Sequence, residues 1–232
     1  MLGEQAMNSI NIKSRNSESG FTLIEIAIVL VIIGLLLGGV LQGQQLIENS
    51  RVKGATNDFN GLAAAIFSYQ DRYGRLPGDD TGAVAARGDS WPAANAGDGN
   101  GVITAAAANT FAGTGEVAFF FNNLRSAGFI AGNPASTLVA ALPQNPFGGL
   151  TSIATAAILT PTGGAALNGL KICMGNVSGT GAIALDTQLD DGIAASGRLR
   201  GAADAGVPNA APAAAPSTVY TEDESYTICY RI

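Results

Sequence analysis

The residues with the most chemical potential stand at the front of the chain, in SGFTLIEIAIVLVIIGLLLGGVL, residues 19–41. Ile26 to Leu41 is an uninterrupted run of 16 uncharged residues, and one acid, Glu25, stands immediately before it. A carboxylate at the centre of a membrane helix costs roughly 2.5–3.5 kcal/mol on insertion scales. At four residues from Phe21, Glu25 can reach the interface. It can also pair with a cation, and a cut after Gly20 would create one, the α-amine of Phe21. Helix N-termini favour a carboxylate in the first turn as well. On this reading the Glu25 carboxylate has no charge partner until the cut is made.

Other candidate groups lie further along. Asp98-Gly-Asn100-Gly resembles the opening of a calcium loop, with oxygen ligands at alternate positions. An EF-hand needs a third oxygen at residue 102, which is Val, and a Glu at residue 109, which is Asn. Asp98 and Asn100 with Asp190 and Asp191 are therefore calcium candidates only if the fold gathers them, with Asp79 and Asp80 as further donors. The competing reading is that these Asp and Asn residues make turns through side-chain bonds to backbone. Paired acids of the glycosidase type can be nominated among Asp79, Asp89 and Glu116, as in any acid-rich chain. There is no histidine, which removes Ser–His and Cys–His catalysis and His-ligated metals. With no nucleophile motif either, an enzyme is not expected.

Composition narrows the classes further. Charged residues make up 13% of the chain and the net charge is −6, with no Lys/Arg cluster, which argues against a nucleic-acid-binding face. The two cysteines, Cys173 and Cys229, are too far apart for a CxxC site. In an oxidising compartment they form one disulfide around 55 intervening residues; otherwise they are two buried thiols.

The elements that position these residues can be read in order. Residues 1–20 are polar and lack an apolar helical face. Counted from Phe21, the apolar segment reaches 21 residues at Leu41, about 30 Å of helix, enough to span a bilayer. Gly34, Gly38, Gly39 and Gly43 supply two GxxxG pairs, read either as close helix packing or as ordinary glycine tolerance in membrane helices. Beyond it Val52, Phe59, Leu62, Ile66, Tyr69 and Tyr73 follow at spacings of 7, 3, 4, 3 and 4, one face of a helix that stops before Pro77. A single helix from about Phe21 to Tyr73 is predicted, ~80 Å long at the standard rise.

Residues 76–103 are expected to be largely loop, with Trp91 either a core residue or a binding aromatic. Thr114–Ile130 reads as a short amphipathic helix, capped by Thr114, facing inward with Val117, Phe120, Phe121 and Leu124, and ended by Gly128. Strands are expected at Ile153–Leu159, Gly169–Met174 and Ser225–Ile232, and a short helix or turn at residues 181–193. Residues 202–217, rich in Ala and Pro, are expected to be an exposed floppy loop.

Gly20-Phe21-Thr22-Leu23-Ile24-Glu25 and the apolar run behind it resemble the class III signal of type IV pilins and type II secretion pseudopilins. The resemblance implies cleavage between Gly20 and Phe21 by a prepilin peptidase, N-methylation of Phe21 and pairing of Glu25 with the Phe21 amine, of a neighbour or its own. The leader departs from the pattern in having no net positive charge, and the apolar helix has no central Pro. Weaker resemblance to a pilin-like group of Gram-negative bacteria runs through Tyr73–Asp79, Gly97–Gly101, Leu124–Ile130, Asn145–Gly149 and Leu189–Gly192. The implied fold is α+β and pilin-like: a long N-terminal helix packed on a small antiparallel β-sheet head with long loops. The expected divisions are a leader at 1–20, a transmembrane and assembly helix at 21–43, its amphipathic continuation at 44–75 and a head at 76–232.

The function so implied is that of a structural subunit of a type IV pilus-like or type II secretion filament. Its partners would be other copies in a helical filament, the prepilin peptidase and N-methyltransferase, an inner-membrane assembly platform, and membrane lipid before assembly. It would cross the bacterial inner membrane once with its head in the periplasm, then enter a periplasmic or extracellular filament. The alternatives are a minor tip pilin acting in adhesion or DNA uptake, with Trp91 and the 202–217 loop as its contacts, and a membrane-anchored enzyme with a pilin-like anchor.

Overall fold

The computed structural model describes residues 20–84, 87–89, 91–92 and 95–232. The leader, apart from Gly20, lies outside them. The chain divides into two compact units, Met1–Gln44 and Gln45–Ile232.

In the first unit the described chain is almost entirely helix. Helix α1, Leu23–Tyr73, begins here, and its apolar side chains stand bare in the single chain, Leu23 at 88% and Leu35 at 74% exposure. It is long and apolar enough to cross a membrane. A helix apolar all round has no inward face to choose and must find apolar surroundings outside its own chain.

In the second unit α1 becomes one-sided. Val52, Ala55, Phe59, Leu62, Ala65, Ile66 and Tyr69 are buried along one stripe, as the spacing predicts. Tyr73, at the end of that stripe, is only partly buried. Gly74 closes the helix in the left-handed conformation (φ +67°), its N–H donating to the Gln70 carbonyl at 2.8 Å.

The stripe packs on an antiparallel sheet of order β1-β2-β4-β3, formed by β1 (Thr151–Ala154), β2 (Lys171–Ser178), β3 (Leu199–Ala203) and β4 (Ser225–Arg231). Register fixes which side chains share a face. Ile153, Ile172, Tyr230 and Leu199 form one cross-strand row, and the Tyr230 ring meets Phe59 of α1 at 5.5 Å. The next row, on the opposite face, is Ser152, Cys173, Cys229 and Arg200. Its centre is the Cys173–Cys229 disulfide, joining directly opposed residues whose Cα atoms are 4.1 Å apart. Loops cover this face: Ser152 Oγ donates to the Thr110 carbonyl, Thr227 Oγ1 to Ala210, and Arg200 to the Leu159 and Ala165 carbonyls.

Helix α2, Glu116–Ser126, buries Val117, Phe120, Phe121 and Leu124 as expected. Thr114 does not cap it. Gly115 is the N-cap, at φ 57° and ψ −138°, a conformation that suits glycine and leaves Thr114 outside the helix. Gly128 does end it, with a paired closure in which the Phe129 N–H reaches the Leu124 carbonyl and the Gly128 N–H reaches Arg125. Helix α3, Gly179–Leu189, is capped by Ser178, whose Oγ accepts from the Gly181 N–H and donates to Glu48 of α1.

Three further expectations need correction. The first strand ends at Ala154, and Ile158 makes only an isolated bridge with Leu167. Residues 202–217 are not a loose excursion. Ala202 and Ala203 belong to β3, the Leu159 and Thr160 N–H groups donate to the Ala213 and Ala214 carbonyls, and Asn209 Oδ1 accepts from the Leu150 N–H at 2.6 Å. Trp91 is 5% exposed and stacks among Tyr69, Tyr73 and the Arg87 guanidinium, which withdraws it as a surface-binding aromatic.

Candidate functional site at the start of the long helix

Thr22 and Glu25 are joined by three hydrogen bonds. The Thr22 N–H donates to Glu25 Oε2 at 2.8 Å, the Thr22 hydroxyl donates to the same oxygen at 2.8 Å, and the Glu25 N–H donates to Thr22 Oγ1 at 3.3 Å. With α1 beginning at Leu23, Thr22 is its N-cap and Glu25 the third helical residue. This is the capping box, in which side chain and backbone satisfy each other's orphan groups. In the uncleaved chain the carboxylate thus accepts from the neutral Thr22 donors, while no cation pairs with it among the described residues. The signal was present in the spacing Thr22-x-x-Glu25, but starting the helix at Phe21 hid it. Both bonds to the carboxylate go to Oε2, and Oε1 has no partner among the described residues. Phe21, beside the expected cut, is 83% exposed.

The glycines of the apolar stretch have open surroundings. A methyl group built on Gly34, Gly38, Gly39 or Gly43 meets nothing within 4 Å. Among the described residues nothing packs against these four positions.

The calcium candidates fall into two separate groups. Asp98 and Asn100 lie with Asp79 and Glu116, while Asp190 and Asp191 lie with Asp186. In the first group all six carboxylate oxygens already accept hydrogen bonds. Asp79 takes the N–H groups of Gly99, Asn100 and Gly101 at 2.6, 3.0 and 2.6 Å. Glu116 takes those of Asp98 and Thr104, and Asp98 takes the N–H and the side-chain amide of Asn100. This is the chemistry of a folded turn, with Asp79 as the post around which residues 97–101 wind. It also brings together Asp79 and Glu116, two of the three acids nominated as a catalytic pair, with Asp89 standing apart and exposed.

In the second group Asp190 accepts from the Arg198 and Leu199 N–H groups, and Asp191 from the Ile193 N–H and the Ser196 hydroxyl. Asp186 accepts from Tyr220 and Gly192. Burial pushes its carboxyl upward, and these two bonds only partly oppose that.

A buried ion-pair network, which sequence reading missed, holds the end of α1. Asp80 is fully buried. It receives Arg87 at 2.6 Å, the Tyr69 hydroxyl at 2.8 Å and the Gly82 N–H at 2.8 Å. Burial alone would raise the Asp80 carboxyl. The bonds from Arg87, Tyr69 and Gly82 outweigh it and hold the group below its ordinary value.

Among known proteins, residues 15–41 match the family model described as "Prokaryotic N-terminal methylation motif". No curated protein matches the chain. The match spans Gly20, Phe21, the Thr22–Glu25 capping box and the apolar run to Leu41, so this segment is a prepilin-type signal on a chain with a pilin-like α+β arrangement.

Proposed function

We propose that the chain is the precursor of a structural subunit of a type IV pilus-like or type II secretion filament, cut after Gly20, N-methylated on Phe21 and polymerised through α1. The observation that carries this reading is the methylation motif at residues 15–41, set on a capped helix apolar enough to cross a membrane. Before assembly α1 anchors the protein in the inner membrane with the head in the periplasm. Assembly then exchanges lipid for the helices of other copies, and the glycines from Gly34 to Gly43 permit close helix approach there.

The capping box gives Glu25 two separate tasks. Oε2 stays on Thr22 and fixes the first turn, while Oε1 receives the ammonium group that cleavage creates on Phe21. Within one chain that amine is carried by the residue before the cap, so the partner that completes the bond is the amine of a neighbouring copy. Entry of a neighbour then neutralises the one acid of the apolar segment. The cost of holding that acid near lipid favours the assembled state.

Glu25→Ala tests the assignment. The variant is expected to insert into the membrane and lose its leader normally, but to give at least tenfold less sheared filament than the parent. Filaments at parental yield would refute the role of Glu25.

A further inference from the structure

A cavity of about 380 Å³ lies in the head between α1, the turn after α2 and the loop that leads into β1. That volume falls in the range of small-molecule sites. Leu62, Phe129, Ile130 and Pro143 give it apolar walls, and Asp58 is the one charged group among the described residues that line it.

The walls are fixed by bonds of their own. The Thr151 N–H donates to the Pro143 carbonyl at 2.7 Å, and Gln144 forms a bridge with Leu150, so the loop between them is tied shut. Asn145 braces that loop from within. Its Oδ1 accepts from the Phe147 and Gly149 N–H groups, and its amide donates to the Leu150 and Gly175 carbonyls. The cavity is therefore formed before anything enters it.

The space also has a cause in the sequence. Gly61 lines the cavity from the interior of α1, where glycine is unfavourable. A methyl group built on it meets nothing within 4 Å. Gly61 follows Asp58 by three residues, on the same ridge of the helix, so a side chain at 61 would fill the space beside that carboxylate.

The polar groups at the cavity lack partners. Thr151 is 4% exposed and shares with Ile153 the sheet face that meets α1, yet its hydroxyl has no hydrogen-bond partner among the described residues. Asp58 takes part in neither of the ion pairs found among the described residues, Arg51–Glu48 and Arg87–Asp80. Burial raises its carboxyl, and no cation opposes that.

We propose that this cavity binds a small organic ammonium compound, whose N–H groups meet the Asp58 carboxylate and the Thr151 hydroxyl while its apolar body lies against Leu62, Phe129, Ile130 and Pro143. The single carboxylate disfavours an anion. It is also too little for a divalent metal, which takes six or more oxygen ligands. A neutral apolar ligand would leave Asp58 without a cation. The site belongs to the head and does not depend on the filament reading.

Calorimetric titration of the full chain in detergent tests the assignment, with 2-phenylethylamine and n-hexylamine as probes and 2-phenylethanol as an uncharged analogue. Both amines are expected to bind saturably at one site, and the alcohol at least tenfold more weakly. Asp58→Asn should weaken the amines at least tenfold and leave the alcohol unchanged. Gly61→Leu should abolish binding and raise the Tm, because leucine favours the helix; that combination separates a filled cavity from an unfolded head. The micelles are the same in every titration, so partition into detergent cannot produce these differences. A lysine side chain carries the same ammonium group, and Nα-acetyl-lysine amide distinguishes that source. If it binds at least tenfold more tightly than either amine, the cavity takes a protein side chain and the small-molecule assignment is overturned. No saturable binding of either amine also overturns the proposal, as does amine binding that survives Asp58→Asn or Gly61→Leu.

Discussion

Replacing Asp80 with Asn is the most informative single change in the head. Asp80 has no exposed surface, and its carboxylate holds Arg87, the Tyr69 hydroxyl and the Gly82 N–H together. Removing one partner of a buried pair costs about 3–5 kcal/mol. The Arg87 side chain keeps 25% of its surface in solvent, so water can recover part of its solvation and the lower end, about 3 kcal/mol, is expected. For a chain of this length that is roughly 6–12 °C in Tm.

The pH dependence follows from the direction of the Asp80 shift. Its folded pKa is depressed, so its contribution is complete above the unfolded value, near 3.8, and is lost as pH falls through the folded value. The Tm gap between parent and Asp80→Asn should therefore be full at neutral pH and shrink in strong acid. Circular dichroism melts of the full chain in detergent, at neutral and strongly acidic pH, measure both. A neutral-pH shift under about 2 °C would refute the reasoning, as would a gap that does not change with pH.

Two further outcomes are expected. Cys229→Ser should cost about 4 kcal/mol in urea titrations, the chain-entropy value for a bridge spanning 56 residues; an unchanged midpoint would mean that the denatured state is already constrained. Calcium at millimolar concentration should move the Tm of the parent by less than about 1 °C, because the oxygens of Asp79, Asp98 and Glu116 are already held by hydrogen-bond donors, whereas a saturable rise would show that they prefer the ion.

Local signals made the long helix and the methylation motif legible. The stripe from Val52 to Tyr69 follows directly from its spacing, and β4 from the alternation of Tyr226, Ile228 and Tyr230. β3 was missed because Leu-Arg-Gly-Ala-Ala carries no β-branched or aromatic residue; it is a strand because β4 offers it an edge. The 202–217 segment was misread because low complexity says nothing about which carbonyls will be used, and here Ala210, Ala213 and Ala214 are all acceptors. Asp79 and Asp98 meet only through the fold, as do Asp80 and Tyr69, so their networks had no sequence signature. The Thr22–Glu25 capping box did have one, four residues long, and a helix start placed two residues early concealed it.

The measurement that bears most directly on the whole account is the mass of the mature N-terminus, taken from membranes and sheared surface fractions of a host that has the prepilin peptidase. The account predicts a chain that begins at Phe21 and carries one methyl group on its α-amine. A chain that retains residues 1–20 in that host, or begins anywhere else, would contradict it.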